Sequence, residues 1–227
     1  MSSLITQIDN LNLHIDGVKH SYFSNILKSS EYNFLIDKWM LENPYKLALF
    51  LRVYEDLFAG KNKIYDIGGS LSCLSPLLSQ NNEYFLIDPL IHEQGNQKVK
   101  DFITLSRINH LKRDWFESYQ SLFTQDDIVI ANDFFPNIDQ RLPLFLQIAS
   151  KVGFRFRLTL TWFSTPKFYH VKRTDADEHL ILSQYDDQQL YHVLQSYLSV
   201  SKIQEVLKRS DARYFTNKRK VCILENF

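Results

Sequence analysis

The chain has little of the residues that interrupt regular structure or cross-link a fold. Six glycines, six prolines and two cysteines occur among 227 residues. Cys73 and Cys222 lie far apart in the sequence and do not supply a disulfide framework, so we interpret both as buried thiols of a reducing compartment. The spacing of cysteine and histidine that is typical of a zinc site is also missing.

Long apolar runs and an excess of one charge are absent as well. No stretch approaches the roughly 20 apolar residues that span a bilayer, and the amino terminus lacks the basic and then apolar order of a signal peptide. Lys+Arg and Asp+Glu number 26 each, so no overall field attracts nucleic acid or an anionic membrane. We therefore expect a cytoplasmic protein with a small-molecule substrate and without nucleic-acid or membrane partners.

Apolar residues are plentiful enough for a large core, since 44% of the chain is hydrophobic and 17 residues are Phe. Residues 20–60 carry apolar side chains at spacings of three and four, which predicts helices. We expect residues 1–60 to form a helical lid, whose aromatic residues suit either a core or the surface of a homodimer. Residues 61–227 are expected to form an α/β domain.

Short apolar segments alternate with helical ones after residue 60. The clearest strands are "KIYDI", "EYFLID", "DIVIA" and "FRFRLTLTW", and strands separated by helices favour a parallel sheet covered on both faces. A further strand within "TLSRINHLKRDWFESY" and two strands around "NK" in the tail complete an expected seven-stranded sheet. The charged segment 164–189 is expected to overhang the site as a loop or an exposed hairpin.

Acidic, amide and glycine residues follow these strands at their carboxyl ends, where an open parallel sheet binds ligands. They are Asp66, Gly68 and Gly69 at the carboxyl end of the first strand, Asp88 at that of the second, and Asn132 and Asp133 at that of the fourth. A glycine turn lets backbone approach a ligand closely, and a carboxylate after the next strand can accept hydrogen bonds from both ribose hydroxyls. The pattern predicts a dinucleotide or an adenosyl compound as the ligand.

A dinucleotide requires the pattern G-x-G-x-x-G, which places a pyrophosphate on a helix N-terminus. From Gly68 the chain reads G-G-S-L-S-C, so Ser70 and Cys73 replace the second and third glycines. Asp66 has no role in that motif either. We therefore rank an NAD-binding Rossmann oxidoreductase second, after a protein that binds an adenosyl compound.

Four segments resemble, in order, the motifs of class I S-adenosylmethionine-dependent methyltransferases. "IYDIGGSLS" resembles the first motif, an acidic residue followed by x-Gly-x-Gly-x-Gly, with Ser70 and Ser72 at two glycine positions. "YFLIDP" resembles the second motif, whose acid binds ribose. "HLKRDWFESY" resembles the segment after the third strand, where an Asp lies near the adenine amine, and "DIVIANDFFPNID" resembles the fourth motif.

This resemblance covers residues 60–163 and implies a Rossmann-like methyltransferase fold with S-adenosylmethionine as the cofactor. The implied cofactor-binding residues are Asp66, Gly68, Gly69, Asp88, Asp114 and Asn132. The two serines leave a third hypothesis open, a methyltransferase-like binding protein without catalysis.

The predicted catalytic residues are Asn132, Asp133 and His170. The resemblance places the first two beside the donor methyl group or the acceptor, with Phe134 and Phe135 as walls, although Asp133 could instead cap the next turn. His170 could act as a general base near neutral pH. No carboxylate follows the fifth strand, where catechol-type methyltransferases hold a metal, so no metal is expected.

We predict methyl transfer to a small polar acceptor, at an oxygen of a sugar or of a phosphorylated or nucleotide-linked precursor. "ANDFFPNIDQRLPLFL" also has a fainter resemblance to sugar or surface-polysaccharide methyltransferases of bacterial capsule clusters. The basic residues between 164 and 189 would suit a phosphate or carboxylate on such an acceptor.

Overall fold

A computed structural model describes residues 44–69, 72, 74–89, 97–173, 178–208, 210 and 218–226. Most of the expected lid, residues 1–43, therefore lies outside the described residues. The helices are α1 (Pro44–Val53), α2 (Leu74–Ser79), α3 (Gln97–Leu105), α4 (Trp115–Leu122), α5 (Leu142–Val152), α6 (Asp187–Leu194) and α7 (Val200–Lys208). The strands are β1 (Lys63–Ile67), β2 (Glu83–Ile87), β3 (Asn109–Leu111), β4 (Ile128–Asn132), β5 (Arg155–Trp162), β6 (Lys167–Arg173), β7 (Glu178–Gln184) and β8 (Lys220–Glu225).

Six strands form one sheet in the order β3-β2-β1-β4-β5-β8. The first five run parallel and β8 pairs antiparallel with β5. The chain proceeds outward from β1 to β3 and then returns to the other side of β1 for β4. The point where the strand order reverses therefore lies between β1 and β4, which is where open α/β sheets bind ligands.

The central strands are covered on both faces, as their apolar sequences predict. Ile128, Val129, Ile130 and Ala131 of β4 are each at most 1% exposed. Side chains of α4 to α7 pack on one face with the aromatic rings of the region after β4 and of β5. Because both faces of these strands are covered, a ligand can reach their polar groups chiefly at the ends of the strands.

The strand count of the main sheet differs from the prediction, and the structure decides between two alternatives for the segment 164–189. The main sheet has six strands among the described residues rather than seven, because the tail contributes β8 alone and the stretch before it, residues 211–217, lies outside the described residues. The segment 164–189 forms the hairpin β6–β7, a separate two-stranded sheet. The two strands pair antiparallel along seven positions, so this segment is a hairpin and not an irregular loop.

Residues 44–60 are anchored to the sheet through β5. The Tyr54 hydroxyl donates to the backbone oxygen of Arg157 at 3.2 Å, and the Arg157 guanidinium donates to the backbone oxygen of Val53 at 2.7 Å. Arg157 also forms ion pairs with Asp56 and Glu225. This part of the expected lid is therefore packed onto the α/β domain.

Cys222 is a free thiol at 2% exposure, and its burial raises its pKa well above the ordinary value. The buried state expected for this cysteine is confirmed, whereas Cys73 lies outside the described residues. Among the described helices, none combines the length and apolar character needed to cross a membrane.

Candidate functional site

The turn after β1 meets the region after β4 at the switch point of the sheet. Gly68 has φ +62° and its amide donates to the backbone oxygen of Ile87 at 2.9 Å. A Cβ on Gly68 would overlap the ring of Phe134. Glycine is therefore required at this position both by its backbone conformation and by the aromatic ring against it.

Replacing Gly68 by alanine is expected to destabilise the protein more than the same change at Gly153. Both glycines have positive φ, but a Cβ on Gly153 would meet only Gln125 Cβ at 3.9 Å. Gly153→Ala then reports the backbone strain, about 1–2 kcal/mol, and Gly68→Ala adds about 1–3 kcal/mol for overpacking against Phe134. Urea unfolding of both variants measures the difference, and equal losses would mean that Phe134 does not lie on Gly68.

Asp66 is a carboxyl group buried within β1 at 1% exposure. Tyr84 of β2 donates its hydroxyl to Oδ2 at 2.7 Å, whereas Oδ1 has no hydrogen-bond partner in the part of the chain that the structure describes. The backbone of Gly69 lies so close that a Cβ there would overlap the carboxyl group. Burial, opposed by the Tyr84 hydrogen bond and reinforced by the charge of Asp88, raises the pKa of Asp66 to about 7.

Asp88 follows β2 at 8% exposure, directly beside the turn after β1. Its amide donates to the backbone oxygen of Leu111 at 3.2 Å, and its backbone oxygen lies 2.6 Å from Nε2 of His110. These backbone contacts hold the residue at the carboxyl end of the strand. The structure thus brings Asp66, Gly68, Gly69 and Asp88 together, as the sequence predicted from strand ends alone.

Asp114 is engaged in local structure. Its carboxylate accepts from the amide of Phe116 at 2.8 Å as the N-cap of α4, and it forms a two-pronged ion pair with Arg141 at 3.0 and 2.7 Å. Partial burial works against ionisation, but the hydrogen bonds from Arg141 outweigh it and lower the pKa of Asp114. A contact with adenine at this residue stays a prediction.

Asn132 ends β4 on the same side of the sheet as Asp66, because Asp66 pairs with Ile130 and side chains alternate along a strand. Its Oδ1 accepts from the Thr159 hydroxyl at 3.3 Å. Its Nδ2 is buried and makes no hydrogen bond of regular geometry within the described chain, although the Tyr54 side chain lies close to this amide. Asp66 and Asn132 therefore each carry a buried polar atom without a regular hydrogen bond, on adjacent strands at the switch point.

Asp133 is the centre of a buried ion-pair network. Lys46 of α1 donates to Oδ2 at 2.7 Å, and Arg219, which precedes β8, donates to both oxygens at 2.8 and 2.9 Å. Thr161 and Asn137 donate to Oδ1 at 2.6 and 2.9 Å. Burial opposes ionisation, but the two cations outweigh it and lower the pKa of Asp133. A carboxylate with five donors and a lowered pKa is suited to an anchor and poorly suited to a general base.

The two phenylalanines after Asp133 have different environments. Phe135 is 1% exposed and packs edge-on against Trp115 and tilted against Phe145, with ring centroids 5.7 and 5.2 Å apart. Phe134 is half-buried and lies against Gly68. The expectation that both rings line the site was therefore wrong for Phe135, which belongs to the core.

His170 lies on the exposed side of the β6–β7 hairpin. Its Nε2 is 2.8 Å from Nδ1 of His179 and the two rings stack with centroids 4.8 Å apart. Its strand partner Ile181 is 81% exposed, while the next residue, Leu182, is buried. The recorded contacts of His170 thus join it to its own hairpin and not to β4.

Sequence reasoning did not find the residues that support the site from other elements. Tyr84 contacts Asp66 from the neighbouring strand, and Lys46 and Arg219 reach Asp133 from positions 87 and 86 residues away. One local signal points to Tyr84. This residue lies two residues before Leu86, the strand partner of Asp66, and so on the same face of the sheet as Asp66. The two cations have no such signal in the sequence.

Comparison of the sequence with family models and with curated proteins gave no match. Solved structures matched in 62 chains. The N-terminal domain of EvdMO1, crystallised in the presence of SAH and D-fucose, is 11% identical over 80% of this chain and 82% of its own, with a TM-score of 0.52. A cyclopropane-fatty-acyl-phospholipid synthase-like protein from Lactobacillus casei ATCC 334 is 10% identical over 92% of this chain and 100% of its own, with a TM-score of 0.51. Together with the strand order, these similarities confirm the expected Rossmann-like methyltransferase fold.

Proposed function

We propose that the protein is an S-adenosylmethionine-dependent methyltransferase. The observation that carries this proposal is the carboxyl group of Asp66, buried and with one oxygen unpaired, beside the Gly68–Gly69 turn at the switch point. A buried carboxyl group without a second partner is costly in the free protein, and a ligand with a positive charge would offset that cost. An adenosyl sulfonium compound brings both an ammonium and a sulfonium group.

The described residues fit this cofactor at several of its parts. The backbone of Gly68 and Gly69 would pass the amino-acid portion, and Asp66 would face its ammonium group directly or through a water molecule. Asp88 would accept hydrogen bonds from the ribose hydroxyls. Asp114 is retained as a proposed neighbour of adenine, although Arg141 already pairs with its carboxylate.

The bound cofactor supplies a methyl group on a sulfonium, which transfers by in-line displacement. The task of the chain is to hold donor and acceptor in line. Asn132, with its buried Nδ2 at the switch point, is the residue we propose beside the acceptor. The contacts of Asp133 and His170 favour other roles, an anchor for α1 and β8 in the first case and a hairpin pair in the second.

For the acceptor we propose an oxygen of a sugar or of a phosphorylated or nucleotide-linked precursor, in capsule or surface-polysaccharide synthesis. The neutral balance of charge and the sequence resemblance of the region after β4 support this class. The EvdMO1 domain, which shares the fold, was crystallised with D-fucose present. Transfer of radiolabelled methyl groups to nucleotide-linked sugars tests the acceptor separately from cofactor binding.

Asp88→Ala is expected to weaken binding of S-adenosylhomocysteine about tenfold to a hundredfold, because each hydrogen bond to a charged group contributes about 1.5–3 kcal/mol. Isothermal titration calorimetry with S-adenosylmethionine and S-adenosylhomocysteine measures this. Asp101→Ala, an exposed carboxylate on α3, is the matched control and should leave the affinity unchanged.

Two results would contradict the proposal. One is that neither ligand binds the wild-type protein with a Kd below about 1 mM. The other is that NAD raises the melting temperature while the adenosyl compounds do not, which would favour the oxidoreductase hypothesis. Full affinity in Asp88→Ala would refute the ribose contact alone.

A further inference from the structure

The environment of Asp66 constrains its charge in the free protein. The residue lies on the side of the sheet where its neighbours are Tyr84 of β2, Tyr54 after α1 and Asp88 after β2. None of these groups is a cation, and no ion pair to Asp66 exists among the described residues. Burial and the charge of the second carboxylate both favour the neutral form of Asp66.

Tyr84 determines which oxygen of Asp66 is available. Tyr84 is fully buried, at 0% exposure. Its hydroxyl donates to Oδ2 of Asp66 at 2.7 Å and lies 3.4 Å from the Ser75 hydroxyl. This contact occupies Oδ2 and leaves Oδ1 as the oxygen without a partner. The same hydrogen bond stabilises the ionised carboxylate, so it limits how far burial favours the proton.

We infer that Tyr84 is a positioning residue of the cofactor site, which holds Asp66 so that a ligand's ammonium group faces Oδ1, and that binding of this group releases one proton from Asp66. The inference rests on the proposed function. A positive charge near Oδ1 stabilises the carboxylate through a short, poorly screened interaction in the protein interior. The proton then leaves to solvent, and the ligand binds with its ammonium group charged.

The sign of the pH dependence follows from linkage. Below the pKa of about 7 the free protein carries the proton, and binding must expel it, so affinity falls as the pH is lowered. Above that pKa the carboxylate is already ionised and the affinity is level. The expected affinity for S-adenosylhomocysteine is about tenfold weaker at pH 6 than at pH 8, with about half a proton released per ligand at pH 7.

Calorimetry with S-adenosylhomocysteine in two buffers of different ionisation enthalpy measures the released protons. Tyr84→Phe is expected to move the affinity profile to higher pH, so that affinity at pH 7 falls severalfold and recovers toward wild type at pH 8. Tyr65→Phe is the matched control, because Tyr65 is also a buried tyrosine of the sheet but donates to the backbone oxygen of Leu122 at 3.1 Å. It should leave the profile unchanged.

A measurement without ligand keeps the inference testable if Tyr84→Phe binds poorly. Carbon-13 NMR of the Asp66 carboxyl group in the free protein should show a midpoint near pH 7 and a higher midpoint in Tyr84→Phe. Binding without proton release, or a midpoint near pH 4, would overturn the inference and leave the proposed function intact. A shift that is equal in Tyr65→Phe would overturn the role of Tyr84. Absence of binding at every pH would overturn the proposed function and this inference with it.

Discussion

Asp66→Asn is expected to make the protein more stable at pH 8 while it weakens binding of the adenosyl ligand. The folded-state pKa of Asp66 is raised from 3.8 to about 7, so the folded protein holds a proton that the unfolded chain has lost between these two values. Stability therefore falls as the pH rises from about 4 to 7, by on the order of 4 kcal/mol. Asparagine imitates the neutral acid and does not titrate.

Urea unfolding at pH 4 and at pH 8 measures the free energy of unfolding of the variant and of wild type. The effect is the change in the difference between these two free energies from one pH to the other. Asp126→Asn, at an exposed turn position before β4, is the control and should show no such change. If the Asp66→Asn variant loses stability between the two pH values as much as wild type does, Asp66 is ionised without cost and its pKa in the folded protein is not raised. A gain in stability with a loss of binding is typical of a strained functional group.

Asp133→Asn is expected to lower the free energy of unfolding at pH 7 by about 3–5 kcal/mol. Asparagine keeps an acceptor for Thr161 but removes the charge between Lys46 and Arg219, so the two cations then face each other at a buried site. The pKa of Asp133 is lowered in the folded protein. Its contribution is therefore present at neutral pH and is lost as the pH falls through that lowered value.

Asp187→Asn provides a matched comparison outside the network. Asp187 also accepts from a lysine, Lys220, and from a buried donor, Nε1 of Trp162, but its side chain is 39% exposed. Its loss should cost about 1 kcal/mol or less. An equal loss of unfolding free energy in the two variants would contradict the central position of Asp133. If α1 stays as resistant to proteolysis in Asp133→Asn as in wild type, the Lys46–Asp133 ion pair does not hold α1 in place.

The local pattern of the sequence predicts the strands that carry the site. β1, β2 and β4 are apolar runs that end in acidic, amide or glycine residues, and β5 is an alternating segment; each of them forms where the pattern places it. The β6–β7 hairpin was foreseen only as an alternative to a loop, because its charged residues obscure the alternation that Leu182 and Ile181 show by burial. β3 is short, at three residues, and its position within a longer segment could not be predicted from periodicity.

The sequence could not predict different roles for adjacent residues whose roles depend only on packing. Phe134 and Phe135 are the same residue type in adjacent positions, yet one lies on Gly68 and the other fills the core beside Trp115. Asp133 looked as suitable for catalysis as Asn132 did. Its five donors come from α1, β5, the turn after β4 and the stretch before β8, and no short-range pattern encodes their convergence.

The sequence by itself determined the parallel order of strands and helices and the presence of Asp66, Gly68, Gly69 and Asp88 at strand ends, because these depend on periodicity and on the conformations that glycine allows. Only the tertiary structure decided what those groups contact. The register of β1 against β2 places Tyr84 beneath Asp66, and a shift by one residue would turn the phenol to the opposite face. Register and burial thus raise the pKa of Asp66 to about 7, whereas the cations that surround Asp133 lower its pKa.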